Sequence, residues 1–100
     1  MWVINTGETG DTPFTFRITA GNIKTIGRAP RADFIVDAAL VSRVHCRLSA
    51  GAADLEVVDL ESTNGTFVNG ERIARALLKT GDRLAVGKVE FLVSRAATVP

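Results

Sequence analysis

The possible folds of this chain are limited above all by a series of short segments in which apolar and polar residues alternate, separated by turns that contain glycine and asparagine. Residues 14–18 alternate in this way, and so does the last such segment, where Val89, Phe91 and Val93 are the apolar positions. A repeat of two residues is that of a half-buried β-strand, whereas an amphipathic helix repeats every 3.6 residues. Such segments at a spacing of about 8–12 residues predict an all-β sandwich or barrel.

The rest of the chain follows the same plan. Four further segments have the composition of strands: residues 23–26, 44–48, 55–59 and 83–86. Gly21-Asn22 is a hairpin-type pair, and Asn69-Gly70 suits a type I′ turn because both central residues of that turn need a positive φ. Residues 74–78 are the best candidate for a helix, but they are too few to form one without tertiary contacts. We therefore expect one β domain over residues 1–100, in which the residues from Ala96 to Pro100 are either the start of a tail or part of a longer chain.

Composition excludes several classes of protein. The net charge of +1 gives no general attraction to a polyanion. A single cysteine, Cys46, cannot form an internal disulfide, and together with the single histidine, His45, it cannot complete a zinc site. No apolar run approaches the ~20 residues of a membrane span, and the N-terminus lacks the pattern of a signal peptide. We expect a cytoplasmic, monomeric domain with no metal, no cofactor and no membrane contact.

The basic residues are unusual in kind and in placement. Nine of the 12 are arginine, whose planar fork of donors suits oxyanions. Residues 24–47 carry five basic residues against two acidic ones, a local balance of 5 − 2 = +3; they are Lys24, Arg28, Arg31, Arg43 and Arg47 against Asp33 and Asp37. This region is therefore the first place to look for a ligand.

Two polar segments lie beside predicted strands within the basic region. Gly27 ends a strand and Arg28 follows it directly, in a loop stiffened by Pro30. Read alone, this is either a solvated arginine after a turn or a contact for an anion. Ser42 and Arg43 stand just before the next strand, where a hydroxyl, a backbone N–H and a guanidinium could meet one anionic oxygen. Both segments suit an anion site, and neither requires one.

Ser42 and His45 could also act as a nucleophile and its base. That pair would need an orienting acid and an oxyanion hole, and the sequence specifies neither. We expect His45 to be a structural hydrogen-bonding residue and the chain not to be an enzyme. A Ser/His hydrolase stays open as an alternative from another class.

A third polar segment lies between two apolar strands. It contains five consecutive small or polar residues: Ser62, Thr63, Asn64, Gly65 and Thr66. Ser, Thr and Asn side chains bond to nearby backbone groups, and glycine accepts a positive φ, so the segment is a shaped loop. The same side chains leave donors available for an anionic ligand.

Taken together, these segments resemble the forkhead-associated (FHA) domain. The matching pieces occur in the family's order and spacing from about residue 23 to 93: Gly27-Arg28, then Ser42-Arg43-Val44-His45, then Asp59 with Ser62-Thr63-Asn64-Gly65-Thr66 and Asn69-Gly70, and finally Leu78, Gly81-Asp82, Val86-Gly87 and Phe91. Each piece is a weak signal, whereas the set is highly specific.

The resemblance implies a β-sandwich of two sheets and about eleven strands that binds phosphothreonine peptides through loops at one end. By position, the residues expected to contact phosphothreonine or the peptide are Arg28, Ser42, Arg43, Thr63 and Asn64. Those expected to shape or support the binding loops are Gly27, His45, Gly65, Asn69 and Gly70. Within the first set, Arg28 matches the arginine that contacts the phosphate.

The implied function is that of an interaction module that recruits phosphorylated protein partners in signalling and depends on a Ser/Thr kinase. A phosphate-independent protein interaction domain is the nearest alternative. Nucleic-acid binding by residues 24–47 is a further one, but the chain has no Tyr and few aromatic residues on which bases could stack. We therefore expect no nucleic acid among the partners.

Overall fold

The alternating segments form strands because each can bury one of its faces between two sheets. A computed structural model of the chain describes residues 1–6 and 13–96. In β5 (Cys46–Ala50), the side chains of Cys46 and Leu48 are buried and that of Arg47 is exposed, as a repeat of two requires. The predicted alternation is confirmed.

Eleven strands of the described residues form two sheets, which confirms the expected β-sandwich. The six-stranded sheet has the order β2 (Thr15–Ile18), β1 (Trp2–Asn5), β11 (Val89–Arg95), β10 (Arg83–Val86), β7 (Thr66–Val68) and β8 (Glu71–Ile73). The five-stranded sheet has the order β4 (Phe34–Ile35), β3 (Ile23–Gly27), β5, β6 (Leu55–Asp59) and β9 (Arg75–Leu78). All neighbouring strands are antiparallel except β3 and β4, which are parallel.

The core lies between the two sheets. Its largest fully buried apolar side chains are Trp2, Phe91, Ile4, Ile18, Ile26, Leu48, Leu55, Leu78 and Leu84. At one edge, Phe16 of β2 stacks on Phe34 of β4 with ring centroids 4.5 Å apart. Since these strands belong to different sheets, the aromatic pair closes that side of the sandwich, and such a pair contributes about 0.5–1.5 kcal/mol beyond its buried area.

Two turns are predicted from glycine- and asparagine-containing pairs, and the structure agrees with one of these predictions. Asn69 and Gly70 have φ values of 51° and 86°, so the predicted type I′ turn between β7 and β8 is confirmed. The hairpin suggested by Gly21-Asn22 is wrong, because β2 and β3 lie in different sheets. Gly21 instead donates its N–H to the carbonyl of Ala50, so this turn carries the chain from one sheet to the other.

The weak helix candidate at residues 74–78 is a strand. Residues 75–78 form β9, in which Leu78 pairs with Leu55 of β6 and is fully buried. Pairing with β6 satisfies the backbone groups that a single helical turn would leave without partners. Across residues 1–6 and 13–96 the chain forms no helix that is long and apolar enough to cross a membrane.

Candidate functional site

The three polar segments meet at one end of the sandwich, here called the site end, because of the directions in which the strands run. β3 and β6 run towards this end, and β5 and β7 start from it. The loops that join these strands therefore emerge together: residues 28–33 after β3, residues 36–45 before β5 and residues 60–65 between β6 and β7. Segments more than 30 residues apart in sequence become neighbours in this way.

Gly27 allows the first two loops to touch. A Cβ atom on Gly27 would lie 2.1 Å from the carbonyl oxygen of Arg43, so only glycine permits this approach. Beside it, the N–H of Arg28 donates to the carbonyl of Ser42 (2.9 Å), and the N–H of Ala29 donates to that of Arg43 (3.0 Å). Arg28, Ser42 and Arg43 are thus held together by backbone hydrogen bonds.

His45 joins the second loop to the third. Its side chain is fully buried, and the N–H of Ser42 donates to its Nδ1 (3.0 Å). Since Nδ1 accepts, Nε2 carries the proton and donates to the carbonyl of Gly65 (2.8 Å). Gly65 takes a φ of +92°, which glycine adopts without strain. His45 therefore connects the second and third loops through hydrogen bonds, and its side chain does not face the solvent.

A second, partly buried cluster shapes the third loop around Asp59. One oxygen of its carboxylate accepts from the hydroxyls of Ser62 (2.5 Å) and Thr66 (2.6 Å), and the other accepts from the N–H of Ser62 (3.2 Å). The N–H of Gly65 donates to the Ser62 hydroxyl oxygen (3.0 Å). Burial by itself would raise the pKa of Asp59, but the hydrogen bonds from Ser62 and Thr66 outweigh it and lower that pKa below the ordinary 3.8.

Cys46 pairs with Asp59 across β5 and β6 and is fully buried. Burial, together with the negative charge of Asp59, raises the pKa of its thiol to about 12. The thiol is therefore neutral at physiological pH and lacks the thiolate needed for nucleophilic or metal chemistry.

Above these buried groups lies an open cavity of about 600 Å³. Its lining includes all five residues predicted to contact a ligand: Arg28, Ser42, Arg43, Thr63 and Asn64. The guanidinium groups of Arg28 and Arg43 are exposed and form no hydrogen bond or ion pair with any residue that the structure describes. Two positive groups without a partner make the cavity suitable for an anion.

Three further polar groups complete the lining. The hydroxyl oxygen of Ser42 accepts from the N–H of Thr63 (3.1 Å), so its own proton can be donated to a ligand. Asn64 donates from Nδ2 to the carbonyl of Leu40 (3.1 Å), which fixes the side chain and leaves its Oδ1 free to accept. The side chain of Thr63 is exposed at the mouth of the cavity.

Asn69 and Gly70 do not lie with these loops, and the expectation that they support them is wrong. Because β7 starts at the site end, the turn that follows it lies at the opposite end of the sandwich. There Asn69 accepts from the N–H of Arg83 (2.9 Å) and donates to Asp82 (3.2 Å). Gly27, His45 and Gly65, the other three residues of that set, do lie at the site end.

The basic region does not form a continuous stripe. Arg28, Arg31 and Arg43 line the cavity, whereas Arg47 lies on the outer face of the five-stranded sheet and Lys24 is half-buried in β3. A continuous basic stripe is the arrangement that follows a nucleic-acid backbone, and it is not found here.

The sequence reasoning missed the roles of Asp59, Ser62 and Thr66. A signal was available, because an Asp three residues before a Ser is typical of a turn closed by side-chain hydrogen bonds. It also missed Arg31 and Glu61 in the lining of the cavity. Among residues 1–6 and 13–96, no group of three or more His, Cys, Asp or Glu residues is arranged to hold a metal ion.

Comparisons with known proteins agree with the geometry. A sequence model of the FHA domain matches residues 24–87. The oxoglutarate dehydrogenase inhibitor of Corynebacterium efficiens is 41% identical over 75 residues, which are 73% of this chain and 53% of that protein. The chain thus spans about half the length of this relative.

Solved structures share the whole architecture. The FHA domain of the CT664 protein from Chlamydia trachomatis superposes with a TM-score of 0.88 at 24% identity and covers 96% of this chain and 98% of its own. An FHA domain from a study of phosphothreonine-dependent FHA domain interactions superposes with a TM-score of 0.81 at 27% identity and covers 97% and 98%. The first similarity establishes the fold, and the second relates it to a domain whose interactions depend on phosphothreonine.

Proposed function

Since the chain belongs to the FHA domain family, we propose that it is an interaction module whose cavity at the site end binds phosphothreonine in a protein partner. One observation carries the proposal: Arg28 and Arg43 reach the same cavity from different loops and find no counter-charge within the described residues. The free hydroxyl proton of Ser42 lies in the same lining. Thr63 and Asn64 are proposed to contact the phosphothreonine and the backbone of the peptide.

The chemistry of phosphate fits this lining. Phosphothreonine carries about −1.5 to −2 charges at neutral pH and three strong acceptor oxygens. Each hydrogen bond between a charged group and its partner contributes about 1.5–3 kcal/mol. A few such bonds, less the cost of ordering the peptide, are consistent with a dissociation constant on the order of micromolar, about −8 kcal/mol. Affinity in this range lets the partner dissociate once a phosphatase removes the phosphate.

We also propose that the module is not an enzyme. A hydrolase would need His45 to take a proton from the Ser42 hydroxyl. Both ring nitrogens of His45 are instead bonded to backbone groups, namely the N–H of Ser42 and the carbonyl of Gly65. The relative from Corynebacterium efficiens is itself named as an inhibitor of an enzyme. By analogy, the partner of this chain is a protein whose behaviour changes on binding, and a Ser/Thr kinase supplies its phosphate.

Calorimetric titration with a matched pair of peptides tests the proposal. The peptides share one sequence and differ only in whether the central threonine is phosphorylated. We expect the phosphorylated peptide to bind at least about 100-fold more tightly, since removal of the phosphate deprives two arginines and a hydroxyl of their partner.

Two results would contradict the proposal. Equal affinity for the two peptides would favour phosphate-independent interaction. Binding to an oligonucleotide that weakens steeply with salt, without preference for the phosphopeptide, would instead favour nucleic-acid binding.

A further inference from the structure

Two charged residues in the lining of the cavity are given no contact by the proposed function. Arg31 belongs to the loop after β3, and Glu61 belongs to the loop after β6. Both are exposed, and neither forms an ion pair with the other or with any other residue in the described ranges. Their charges are opposite, and both are available to a ligand.

Arg31 is carried by a rigid turn. The N–H of Ala32 donates to the carbonyl of Ala29 (3.0 Å), which closes a β-turn with Pro30 and Arg31 at its centre. A hydrogen bond from the N–H of Ala29 to the carbonyl of Arg43 (3.0 Å) connects this turn to the loop before β5. Its backbone is therefore fixed with respect to the cavity before any ligand binds.

The acidic residue nearest to Arg31 in the sequence, Asp33, forms no ion pair with it. The carboxylate of Asp33 is engaged by Thr25, accepting from its N–H (2.9 Å) and from its hydroxyl (3.2 Å). In return, the N–H of Asp33 donates to the Thr25 hydroxyl oxygen (3.1 Å). These bonds anchor the far end of the turn to β3 and leave the guanidinium of Arg31 unpaired.

Glu61 is fixed in a different way. Its φ is 54°, a left-handed conformation that few residues other than glycine adopt, so its neighbours must hold it. On one side, the N–H of Leu60 donates to the carbonyl of His45 (3.0 Å), and on the other side Ser62 is bonded to Asp59 through its N–H and hydroxyl. The carboxylate of Glu61 thus extends from a backbone that is held on both sides.

The loops that carry the two charges follow strands on opposite sides of β5. In the five-stranded sheet, β5 lies between β3 and β6, so the loops after β3 and β6 are separated by two inter-strand spacings, about 10 Å. An extended peptide covers that distance with about three residues. A peptide held at its phosphothreonine can therefore bring residues on one side of it near Arg31 and residues on the other side near Glu61.

We propose that Arg31 and Glu61 select the charge order of the phosphopeptide, with acidic residues on the side of Arg31 and basic residues on the side of Glu61. This inference rests on the proposed function, because phosphate in the cavity fixes the peptide. The two positive charges of Arg28 and Arg43 already balance a phosphate of about two negative charges. Arg31 and Glu61 are therefore available to contact the peptide residues next to the phosphothreonine.

Fluorescence anisotropy at low salt with three phosphothreonine peptides tests the inference. One carries a short acidic run before and a basic run after the phosphothreonine, the second has the reverse order, and the third has alanine on both sides. We expect one charge order to bind about five- to tenfold more tightly than the other, with less difference at high salt, since each exposed ion pair contributes little and is screened.

The decisive variant exchanges the two charges, combining Arg31→Glu with Glu61→Arg, which leaves the total charge unchanged. It is expected to reverse the preferred order. A control pair, Arg17→Glu with Glu71→Arg, changes two exposed residues near the opposite end and is expected to keep the wild-type order. Single variants Arg31→Gln and Glu61→Gln are each expected to reduce the ratio of the two affinities, which keeps the test valid if the double variant misfolds.

The outcomes separate the two proposals. If the alanine-flanked phosphopeptide binds but both charge orders bind equally, or if the exchanged variant keeps the wild-type order, the inference about Arg31 and Glu61 is overturned while the proposed function stands. If none of the phosphopeptides binds, the proposed function fails and the inference fails with it.

Discussion

The site end consists of two layers that differ in their exposure to water and in their hydrogen bonding. The inner layer, formed by His45, Asp59, Ser62 and Thr66, is largely removed from water, with His45 and Thr66 fully buried and Ser62 7% exposed. Its polar side chains bond to one another or to the loop backbone. The rim, formed by Arg28, Arg31, Arg43, Glu61, Thr63 and Asn64, is exposed, and its charged groups have no partner within the described residues.

The inner layer stabilises the fold, and the rim provides affinity for a ligand. A buried polar group without a partner costs about 1–3 kcal/mol, so the inner layer must be satisfied for the loops to hold their shape. Water satisfies the exposed groups of the rim, which therefore cost little until a ligand replaces it. Ser42 connects the layers, since its N–H bonds to His45 while its hydroxyl faces the cavity. The comparison predicts that changes in the inner layer lower stability and that changes in the rim lower affinity.

The largest effect is expected from His45→Ala. The variant leaves the N–H of Ser42 and the carbonyl of Gly65 without partners and opens a cavity, which together cost about 3 kcal/mol of folding free energy. The melting temperature should fall by more than about 10 °C, with weaker phosphopeptide binding. Calorimetry and titration on the same sample measure both. An unchanged melting temperature with binding abolished would mean instead that His45 contacts the ligand.

A smaller effect, confined to binding, is expected from Arg28→Ala. The loss of one charged contact to phosphate should weaken binding by about 10- to 150-fold, which is 1.5–3 kcal/mol. Since the guanidinium is exposed, the folding free energy should change by less than about 0.5 kcal/mol. Arg47→Ala is the matched control, because Arg47 is also exposed but lies on the outer face of the sheet and not in the lining of the cavity. Equal losses of affinity in the two variants would show that overall charge, and not the cavity, attracts the peptide.

The smallest effect concerns pH and Asp59. Hydrogen bonds hold the pKa of its carboxyl below the ordinary 3.8, so the charged form stabilises the fold above that pH. This contribution is lost as the pH falls through the lowered pKa of the folded state. Wild-type protein should therefore exceed Asp59→Asn in melting temperature at neutral pH, and the difference should shrink as the pH falls below 3.8. A difference that stays constant down to pH about 2 would contradict a role for the charge.

Much of the local structure could be predicted from neighbouring residues alone. The strands at 55–59 and 83–86 have the predicted bounds, and Asn69-Gly70 forms the predicted type I′ turn. These features depend on a repeat of two residues and on φ preferences, which involve only residues close in sequence. The family resemblance grouped five of the residues that line the cavity into one predicted ligand site, because the motif preserves spacing that local rules do not explain.

Other features depend on partners that are distant in the chain. Gly21-Asn22 has the composition of a hairpin turn, yet it passes from one sheet to the other because Gly21 and Asn22 bond to Ala50 of β5. Residues 75–78 form a strand because β6 offers an edge to pair with. Asn69 and Gly70 belong to the same sequence motif as the binding loops but lie far from them. The β7–β8 hairpin starts at the site end, so its turn lies at the opposite end of the sandwich.

Three features can be predicted from the sequence alone because each is a property of adjacent residues: the alternating strands, the type I′ turn and the arginine-rich polar segments. Which segments share an end of the sandwich follows from the tertiary structure, which brings Arg31 and Glu61 from separate loops into the lining of one cavity. The physical reason is that strand direction and sheet membership are set by hydrogen bonds between distant segments. Whether a charged side chain forms an ion pair depends, in turn, on which residues this strand pairing places close to it.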